Sequence, residues 1–300
     1  MNEHIRIATE VEAALAAGGA VVALESTIIT HGMPWPRNVE VAKAVEADVR
    51  REGAVPATIA VIDGTIRVGL AEDELEALAQ AENVAKLSRA DLALAVSNGS
   101  AGSTTVAATM ICAALAGIRV FATGGIGGVH RGAAETFDVS ADLEELARTD
   151  VTVVCAGAKA ILDVGKTLEV LETKGVPVVG LGTDVVPAFW SRESPHPVPI
   201  RHDALQDVAN LVRTRRDLKL GGGLLLCVPV PEGSEIRAAE IEAHIDQAIA
   251  DADSSGVKGK AVTPYLLSRM LELTKGRSLE TNVALIRNNA LVAARLALLG

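Results

Sequence analysis

The chain has 300 residues, of which 49% are hydrophobic and only 2% aromatic, and its formal net charge is -10. This length and apolar content suffice for a large core, and an acidic chain gains little from counterion release on a phosphate backbone, so no nucleic-acid polymer is expected as a partner. The sequence contains no apolar run of the roughly 18 residues that a membrane span needs and no basic, apolar leader at its start, so we expect neither membrane insertion nor a signal peptide.

The three cysteines lie far apart in the sequence, at Cys112, Cys155 and Cys227. No C-x-x-C pair occurs, which argues against a zinc site and against a disulfide framework. This usage is typical of a protein that resides in the reducing cytoplasm.

Short apolar runs alternate with amphipathic stretches along the chain. In chain order, the sequence predicts a strand over 21–27, a helix over 37–51, strands over 57–62, 65–70 and 91–96, a helix over 104–117, strands over 118–123 and 151–156, a helix over 158–174, a strand over 176–181, a helix over 203–217, a strand over 222–230, and helices over 235–252, 263–275 and 278–298.

This alternation predicts a three-layer α/β/α sandwich around a mixed, largely parallel sheet. Asp63-Gly64 is a strong hairpin signal, so one strand pair is expected to be antiparallel. No Pro/Gly/Ser-rich linker divides the chain, and we therefore expect residues 1–300 to form a single domain. In open α/β sheets the ligand lies beyond the carboxyl ends of the strands, so the residues that follow each strand are the ones to inspect.

An acid and a lysine follow two of these strands. Glu25 ends the first strand, with His31 shortly after it, and Lys159 follows the run "VTVVCA". Glu25 is either a solvated residue or a carboxyl group that can protonate a leaving oxygen. Lys159 comes after small residues that leave room for a ligand, and desolvation there favours the neutral, nucleophilic amine.

The stretch "SNGSAGSTT" (97–105) precedes a predicted helix start, where free backbone N–H groups and hydroxyls can bind an anion. Alternatively, Ser103 or Thr104 only caps the helix. Lys86 lies before this stretch and either reaches the same anion or belongs to the surface.

Two glycine-containing motifs do not predict nucleotide loops. "TGGIGGVHRG" (123–132) has His130 where the third glycine of G-x-G-x-x-G belongs, so its glycines indicate a close backbone approach to a ligand or a tight loop. "AILDVGKT" (160–167) resembles a P-loop but lies past the strand end in an amphipathic stretch, so we reject that function.

Asp138, Ser140 and Asp142 lie in "TFDVSADLEEL" (136–146). Ser140 can cap a helix that begins near Leu143, with Asp142 favouring the helix dipole. Alternatively, the carboxylates hold a hydrated divalent cation such as Mg²⁺ or Mn²⁺.

Together these motifs closely resemble the pseudouridine-5′-phosphate glycosidases, also called the indigoidine synthase A-like family. The resemblance spans nearly the whole chain and rests on the segments "VALESTIITHGMPWPRN" (22–38), "GAVPATIAVIDG" (53–64), "STTVAATMICAALAGI" (103–118), "VFATGGIGGVHRGA" (120–133), "TFDVSADLEELA" (136–147), "VTVVCAGAKAILD" (151–163), "TPYLLSRMLELT" and "SLETNVALIRNNALVAARLA".

The resemblance implies reversible cleavage of the C–C glycosidic bond of pseudouridine 5′-phosphate, which gives uracil and ribose 5-phosphate through a lysine imine and opening of the ribose. Lys159 is then the nucleophile and Glu25 the proton donor, while the 5′-phosphate is held by Lys86 and the Ser103–Val106 segment, which includes Thr104, Thr105 and Val106.

The resemblance further implies that Asp138 binds one hydrated Mn²⁺, for which Mg²⁺ can substitute. Ser140, Ala141 and Asp142 match a substrate-contacting turn, and His130 and Asn282 lie in segments that line the site. A homotrimer is expected. Two other functions stay open: a lysine-dependent lyase or condensing enzyme that acts on a related sugar phosphate or C-nucleotide, and a non-catalytic nucleotide sensor.

Overall fold

A computed structural model describes residues 3–257, 259 and 262–300 of the chain. Within these residues the strands are β1 (Ile5–Ile7), β2 (Val21–Leu24), β3 (Val55–Ile62), β4 (Thr65–Val68), β5 (Ala85–Leu87), β6 (Gly102–Thr104), β7 (Val120–Ala122), β8 (Val129–His130), β9 (Thr152–Cys155), β10 (Leu162–Asp163), β11 (Val178–Leu181), β12 (Ile200–His202) and β13 (Leu224–Cys227).

The helices described are α1 (Thr9–Ala16), α2 (Thr27–His31), α3 (Arg37–Arg51), α4 (Glu72–Gln80), α5 (Arg89–Ser97), α6 (Val106–Ala116), α7 (Ala133–Thr136), α8 (Ala141–Arg148), α9 (Val164–Thr173), α10 (Leu205–Asp217), α11 (Ala238–Ser254), α12 (Val262–Leu273) and α13 (Arg277–Ala297). None of the helices in the described part of the chain has the length and hydropathy to span a membrane.

One sheet runs through the molecule in the order β1-β4-β3-β2-β7-β9-β13-β11-β12, and β6 pairs with β3 and with β5. Strand β3 pairs antiparallel with β4 and with β6, whereas β2–β7, β7–β9 and β9–β13 are parallel. Helices α3 and α13 pack together in one helical layer, and α6 packs with α8 in the other. The predicted three-layer sandwich with a mixed, largely parallel sheet is therefore confirmed, including the hairpin at Asp63-Gly64.

The central strands are buried on both faces. Every residue of β2 (VVAL), β9 (TVVC) and β13 (LLLC) is buried. Covering by helices on both sides explains why these strands are near-continuous apolar runs rather than alternating ones. Because each fully buried Val or Leu side chain stabilises the fold by roughly 1.5–3 kcal/mol, this core fixes the strand ends from which the site is built.

The strand predicted over 91–96 is wrong, because these residues belong to helix α5. The run alternates leucine and alanine, but Leu92 and Ala95 are its buried positions, and their spacing of three residues belongs to a helix. The side chain of Asp91 also accepts a hydrogen bond from the Ser88 N–H at 2.9 Å, which secures the helix start.

Two predicted boundaries also shift. The helix expected over 158–174 begins only at Val164, where the Asp163 side chain caps it by accepting from the Lys166 N–H at 3.0 Å. The strand expected over 21–27 ends at Leu24, and Thr27 already begins α2. Both changes leave Lys159 and Glu25 in short turns beyond a strand.

Candidate active site

A pocket opens beyond the carboxyl ends of β2, β7 and β9, with α12 and α13 on its other side. The registers Leu24↔Ala122 and Ala122↔Val154 place the ends of these strands side by side. Four of the predicted site residues line this pocket, namely Glu25, Lys86, Lys159 and Asn282.

Lys159 reaches the pocket from a tight turn after β9. Gly157 has φ +83°, and a Cβ there would lie 2.4 Å from the Pro187 carbonyl oxygen, so the turn requires glycine. The Lys159 N–H donates to the Ile126 carbonyl at 3.1 Å and its carbonyl accepts from the Leu162 N–H at 2.9 Å. Among the described residues no carboxylate lies within ion-pairing distance of its amine, so Lys159 does not serve a structural ion pair there.

The carboxyl group of Glu25 is held by two threonines. The Thr27 hydroxyl donates to one oxygen and the Thr123 hydroxyl to the other. Thr123 follows β7 just as Glu25 follows the neighbouring β2, so the sheet register itself brings them together. The acid therefore has a fixed orientation at the edge of the pocket.

Lys86 occupies the polar end of the pocket. It lies on β5 opposite Ser103 on β6, beside His31, which also lines the pocket. The His31 Nδ1 lies 2.6 Å from the Thr30 hydroxyl oxygen and 3.4 Å from that of Ser103. Burial lowers the pKa of His31, and the nearby Lys86 cation lowers it further, so its ring stays neutral near pH 7.

The start of α6 shows how the Ser103–Val106 segment is used. The Thr104 hydroxyl is buried and donates to the Ile59 carbonyl at 2.7 Å, so it holds the strands together. The Thr105 hydroxyl caps α6 by accepting from the Ala108 N–H at 3.4 Å. In the described residues the Val106 N–H donates no hydrogen bond to the protein, and Val106 itself is buried.

The turn at 140–142 is tied to the same helix start. The Asp142 carboxylate is buried and accepts from the Ala107 N–H at 2.9 Å and from the Gly127 N–H at 2.8 Å. The Ser140 hydroxyl caps α8 by accepting from the Asp142 N–H at 3.2 Å, as the capping alternative predicted, while Ala141 is exposed. Asp142 therefore occupies part of the anion site that α6 would otherwise offer.

His130 and Asp138 lie close together, with 3.9 Å between His130 Nδ1 and Asp138 Oδ2. Burial lowers the pKa of His130; the Asp138 carboxylate opposes this shift, and the Lys159 and Lys86 cations add to it. The described residues contain no group of three or more His, Cys, Asp or Glu side chains that could enclose a metal ion. The half-exposed Asp138 carboxylate fits a single inner ligand of a largely hydrated cation, and it does not fit an all-protein cage.

The stretch "FWSRESPHPV" (189–198), for which the sequence leaves a lid or an interface loop open, contributes to the site. Phe189 lines the pocket, and Trp190 is buried with its indole N–H donating to Asn282 Oδ1 at 2.7 Å. The apolar pair Phe189-Trp190 at the start of an otherwise mostly polar stretch is the feature of the sequence that could have indicated this contact. Thr123 and Phe189 are thus candidate site residues that the sequence did not identify.

Comparison with known proteins gives a consistent result. The profile of the family described as indigoidine synthase A like protein matches residues 10–299. A pseudouridine-5′-phosphate glycosidase of Methylobacterium nodulans is 65% identical over 97% of this chain and 86% of its own length. One from Roseobacter denitrificans is 62% identical over 99% of this chain and 96% of its own length.

A solved structure extends the comparison to three dimensions. The crystal structure of the prealnumycin C-glycosynthase AlnA in complex with ribulose 5-phosphate is 39% identical, with a TM-score of 0.92, and the match covers 100% of this chain and 97% of that one. The chain belongs to the indigoidine synthase A-like protein family.

Proposed function

We propose that this chain is an enzyme that reversibly cleaves the C–C glycosidic bond of pseudouridine 5′-phosphate to give uracil and ribose 5-phosphate. The observation that carries the proposal is the convergence of Lys159, Glu25 and Lys86 on one pocket, in a chain 65% identical to a relative that bears this activity in its name. A pocket with a nucleophile, a fixed acid and a cation for phosphate suits this substrate.

In the proposed reaction the Lys159 ammonium group first gives up a proton to water. Its amine then attacks C1′ while Glu25 gives a proton to the ring oxygen, so the C1′–O4′ bond breaks and the ribose opens. The nitrogen lone pair then forms an iminium and expels uracil, whose C5 takes up a proton. Water adds to the iminium and releases ribose 5-phosphate and free Lys159. A carbon-linked base is a poor leaving group, and the lysine supplies the electron pair that an ordinary hydrolysis lacks.

The phosphate end is assigned to Lys86 and to the Val106 N–H. A cation and a helix-terminal amide together favour a dianionic group. Thr104, Thr105, Ser140 and Asp142 act by holding this end in shape, because their polar side chains already have protein partners.

A hydrated Mn²⁺ or Mg²⁺ at Asp138 remains part of the proposal. When bound there, the cation would supply positive charge near the substrate, and its bound waters would donate hydrogen bonds to the substrate. Chelator treatment should lower the activity and Mn²⁺ should restore it; activity unchanged by chelator would remove this function from Asp138.

We also propose a homotrimer in the cytoplasm. The described cysteines form no disulfide, which suits a reducing compartment.

Sedimentation at equilibrium should give three times the 31.0 kDa chain mass, and a monomer would contradict the proposed trimer.

A second candidate is synthesis of a C–C bond between a sugar phosphate and an acceptor other than uracil. The 39% identity to a C-glycosynthase favours it. Both reactions use the same lysine and differ in the acceptor that leaves or arrives.

The deciding experiment incubates the protein with pseudouridine 5′-phosphate and follows the release of uracil and ribose 5-phosphate. We expect turnover that is lost in Lys159→Ala. Binding of ribose 5-phosphate to that variant, measured by calorimetry, controls for folding. Absence of turnover by the unaltered chain would contradict the proposal and leave the second candidate.

A further inference from the structure

The orientation of the Asn282 side-chain amide is fixed by Trp190. The indole N–H of Trp190 lies 2.7 Å from Asn282 Oδ1 and 3.1 Å from the Ser278 carbonyl oxygen. Because an indole N–H can only donate, the amide atom that faces Trp190 must be the oxygen. Trp190 is 1% exposed, so no water can replace this contact.

The Asn282 NH₂ group is consequently the part of the amide left for a ligand. Within the described residues it has no hydrogen-bond acceptor, and Asn282 lines the pocket. An amide NH₂ donates two hydrogen bonds and accepts none. At Asn282 the pocket therefore offers hydrogen-bond donors.

The surroundings of Asn282 suit a flat heterocycle. Phe189, Leu285, Leu267 and Pro264 line the same pocket as Asn282. The phosphate end, at Lys86, has polar neighbours instead. Apolar side chains of this kind suit the faces of a planar base whose polar edge points towards the amide.

Phe189 and Trp190 act as one unit. Their rings meet edge to face with centroids 5.2 Å apart, and the Phe189 N–H donates to the Ala156 carbonyl at 3.1 Å, three residues before Lys159. The Phe189-Trp190 dipeptide thus supplies both an apolar wall of the pocket and the indole N–H that orients the Asn282 amide.

We propose that Trp190 is a specificity-determining positioning residue: it holds Asn282 so that the pocket accepts a pyrimidine carbonyl and rejects an amino group in the same place. The proposal rests on the proposed function, since it assigns the base end of that pocket. A site built to donate to a carbonyl leaves two donors facing each other when an amino group replaces it.

The test measures acceptor selectivity. Uracil, cytosine and isocytosine are compared, with ribose 5-phosphate present, both as acceptors in C–C bond formation and as ligands in calorimetry. The unaltered chain should prefer uracil over at least one of the amino pyrimidines by about tenfold or more, the ratio expected for one lost hydrogen bond in a buried site.

Two variants separate positioning from packing. Trp190→Phe keeps an aromatic ring but removes the donor, so the preference should fall at least about threefold while the affinity for ribose 5-phosphate is retained. Asn282→Asp keeps an acceptor for Trp190 and places an acceptor in the pocket, so it should weaken or reverse the preference. Thermal melting checks that each variant folds. If Trp190→Phe does not fold, the selectivity of Asn282→Asp alone decides on the proposal.

The outcomes are distinguishable from failure of the proposed function. Selective uracil binding that depends on Trp190, without turnover of pseudouridine 5′-phosphate, would refute the function and support the inference. An unaltered chain that binds the three pyrimidines equally, or not at all, would overturn the inference. So would a Trp190→Phe protein, or an Asn282→Asp protein, with unchanged selectivity.

Discussion

Glu25 shows how much of the site depends on single hydroxyl groups. Its two carboxyl oxygens accept from Thr27 and Thr123, and Thr123 lies on a different strand end. A group that must give up a proton at a defined point needs such fixed partners, and hydroxyl groups suit because they can turn from donor to acceptor as the proton moves.

Thr123→Val should therefore lower kcat by about 10- to 150-fold, since a hydrogen bond to a charged group contributes roughly 1.5–3 kcal/mol. Thr123→Ser keeps the hydroxyl and should stay within about threefold of the unaltered chain. Steady-state kinetics on pseudouridine 5′-phosphate checks both. If the valine variant were as active as the serine variant, the hydroxyl would have no part in holding Glu25.

The protonation of His31 leads to a prediction, also at the residue scale, of how the free energy of unfolding depends on pH. Its pKa is lowered from the ordinary value of 6.5 by burial and by Lys86, so the unfolded chain binds this proton more readily than the folded one. The free energy of unfolding should therefore decrease as the pH falls below about 6.5.

His31→Asn retains an acceptor near the Nδ1 position but cannot be protonated. Its free energy of unfolding should fall less steeply than that of the unaltered chain between about pH 7 and 5. Urea titrations at a series of pH values measure both slopes. Parallel curves would show that His31 is not protonated differently in the two states.

At the scale of elements, burial on both faces made the central strands predictable. The helix over 37–51 agrees with α3, and the runs at 151–156 and 222–230 contain β9 and β13. Short elements were not predictable in the same way, because β5 and β6 have three residues each and no periodicity develops over that length. The strand predicted over 91–96 was wrong because alternating Leu and Ala fits the period of a strand as well as that of a helix. Only the burial of Leu92 and Ala95, which lie three residues apart, distinguishes the two.

The glycine-rich loop after β7 (123–132) is joined to helix α8 by a hydrogen bond to Asp142. Gly127 donates its N–H to Asp142, and a Cβ at Gly127 would lie 2.3 Å from Ser140 Oγ and 2.8 Å from Asp142 Oδ2. Gly127 thus permits a close approach of protein to protein. Gly124 and Gly125 of the same motif line the pocket, so the approach of backbone to a ligand, which the sequence left open, stays a prediction there.

Gly127→Ala should lower the free energy of unfolding by about 1–3 kcal/mol, as overpacking does, and should reduce kcat/KM by displacing Asp142. Gly233→Ala is the matched control, since no atom lies within 4 Å of a Cβ at that position. Chemical unfolding compares the two proteins. Equal stability of both variants would mean that the loop adapts without cost.

At the scale of the whole molecule, the pocket joins side chains from positions 25, 86, 159 and 282. The rule that ligands lie beyond the carboxyl ends of parallel strands selects Glu25 and Lys159, and both residues line the pocket. It could not place Asn282, which comes from α13 in a helical layer, nor Trp190, which reaches Asn282 from a loop. Helix-to-sheet packing and loop contacts of this kind depend on tertiary structure that a single sequence does not encode in its periodicity.

The central claim is that the Lys159 amine forms an imine with the sugar. Borohydride reduction in the presence of ribose 5-phosphate, followed by peptide mapping with mass spectrometry, tests it most directly, and Lys86 in the same pocket is a built-in control. The account predicts one covalent sugar adduct on Lys159, which is absent from Lys159→Ala. An adduct on Lys86 alone, or no adduct at all in an active preparation, would contradict it.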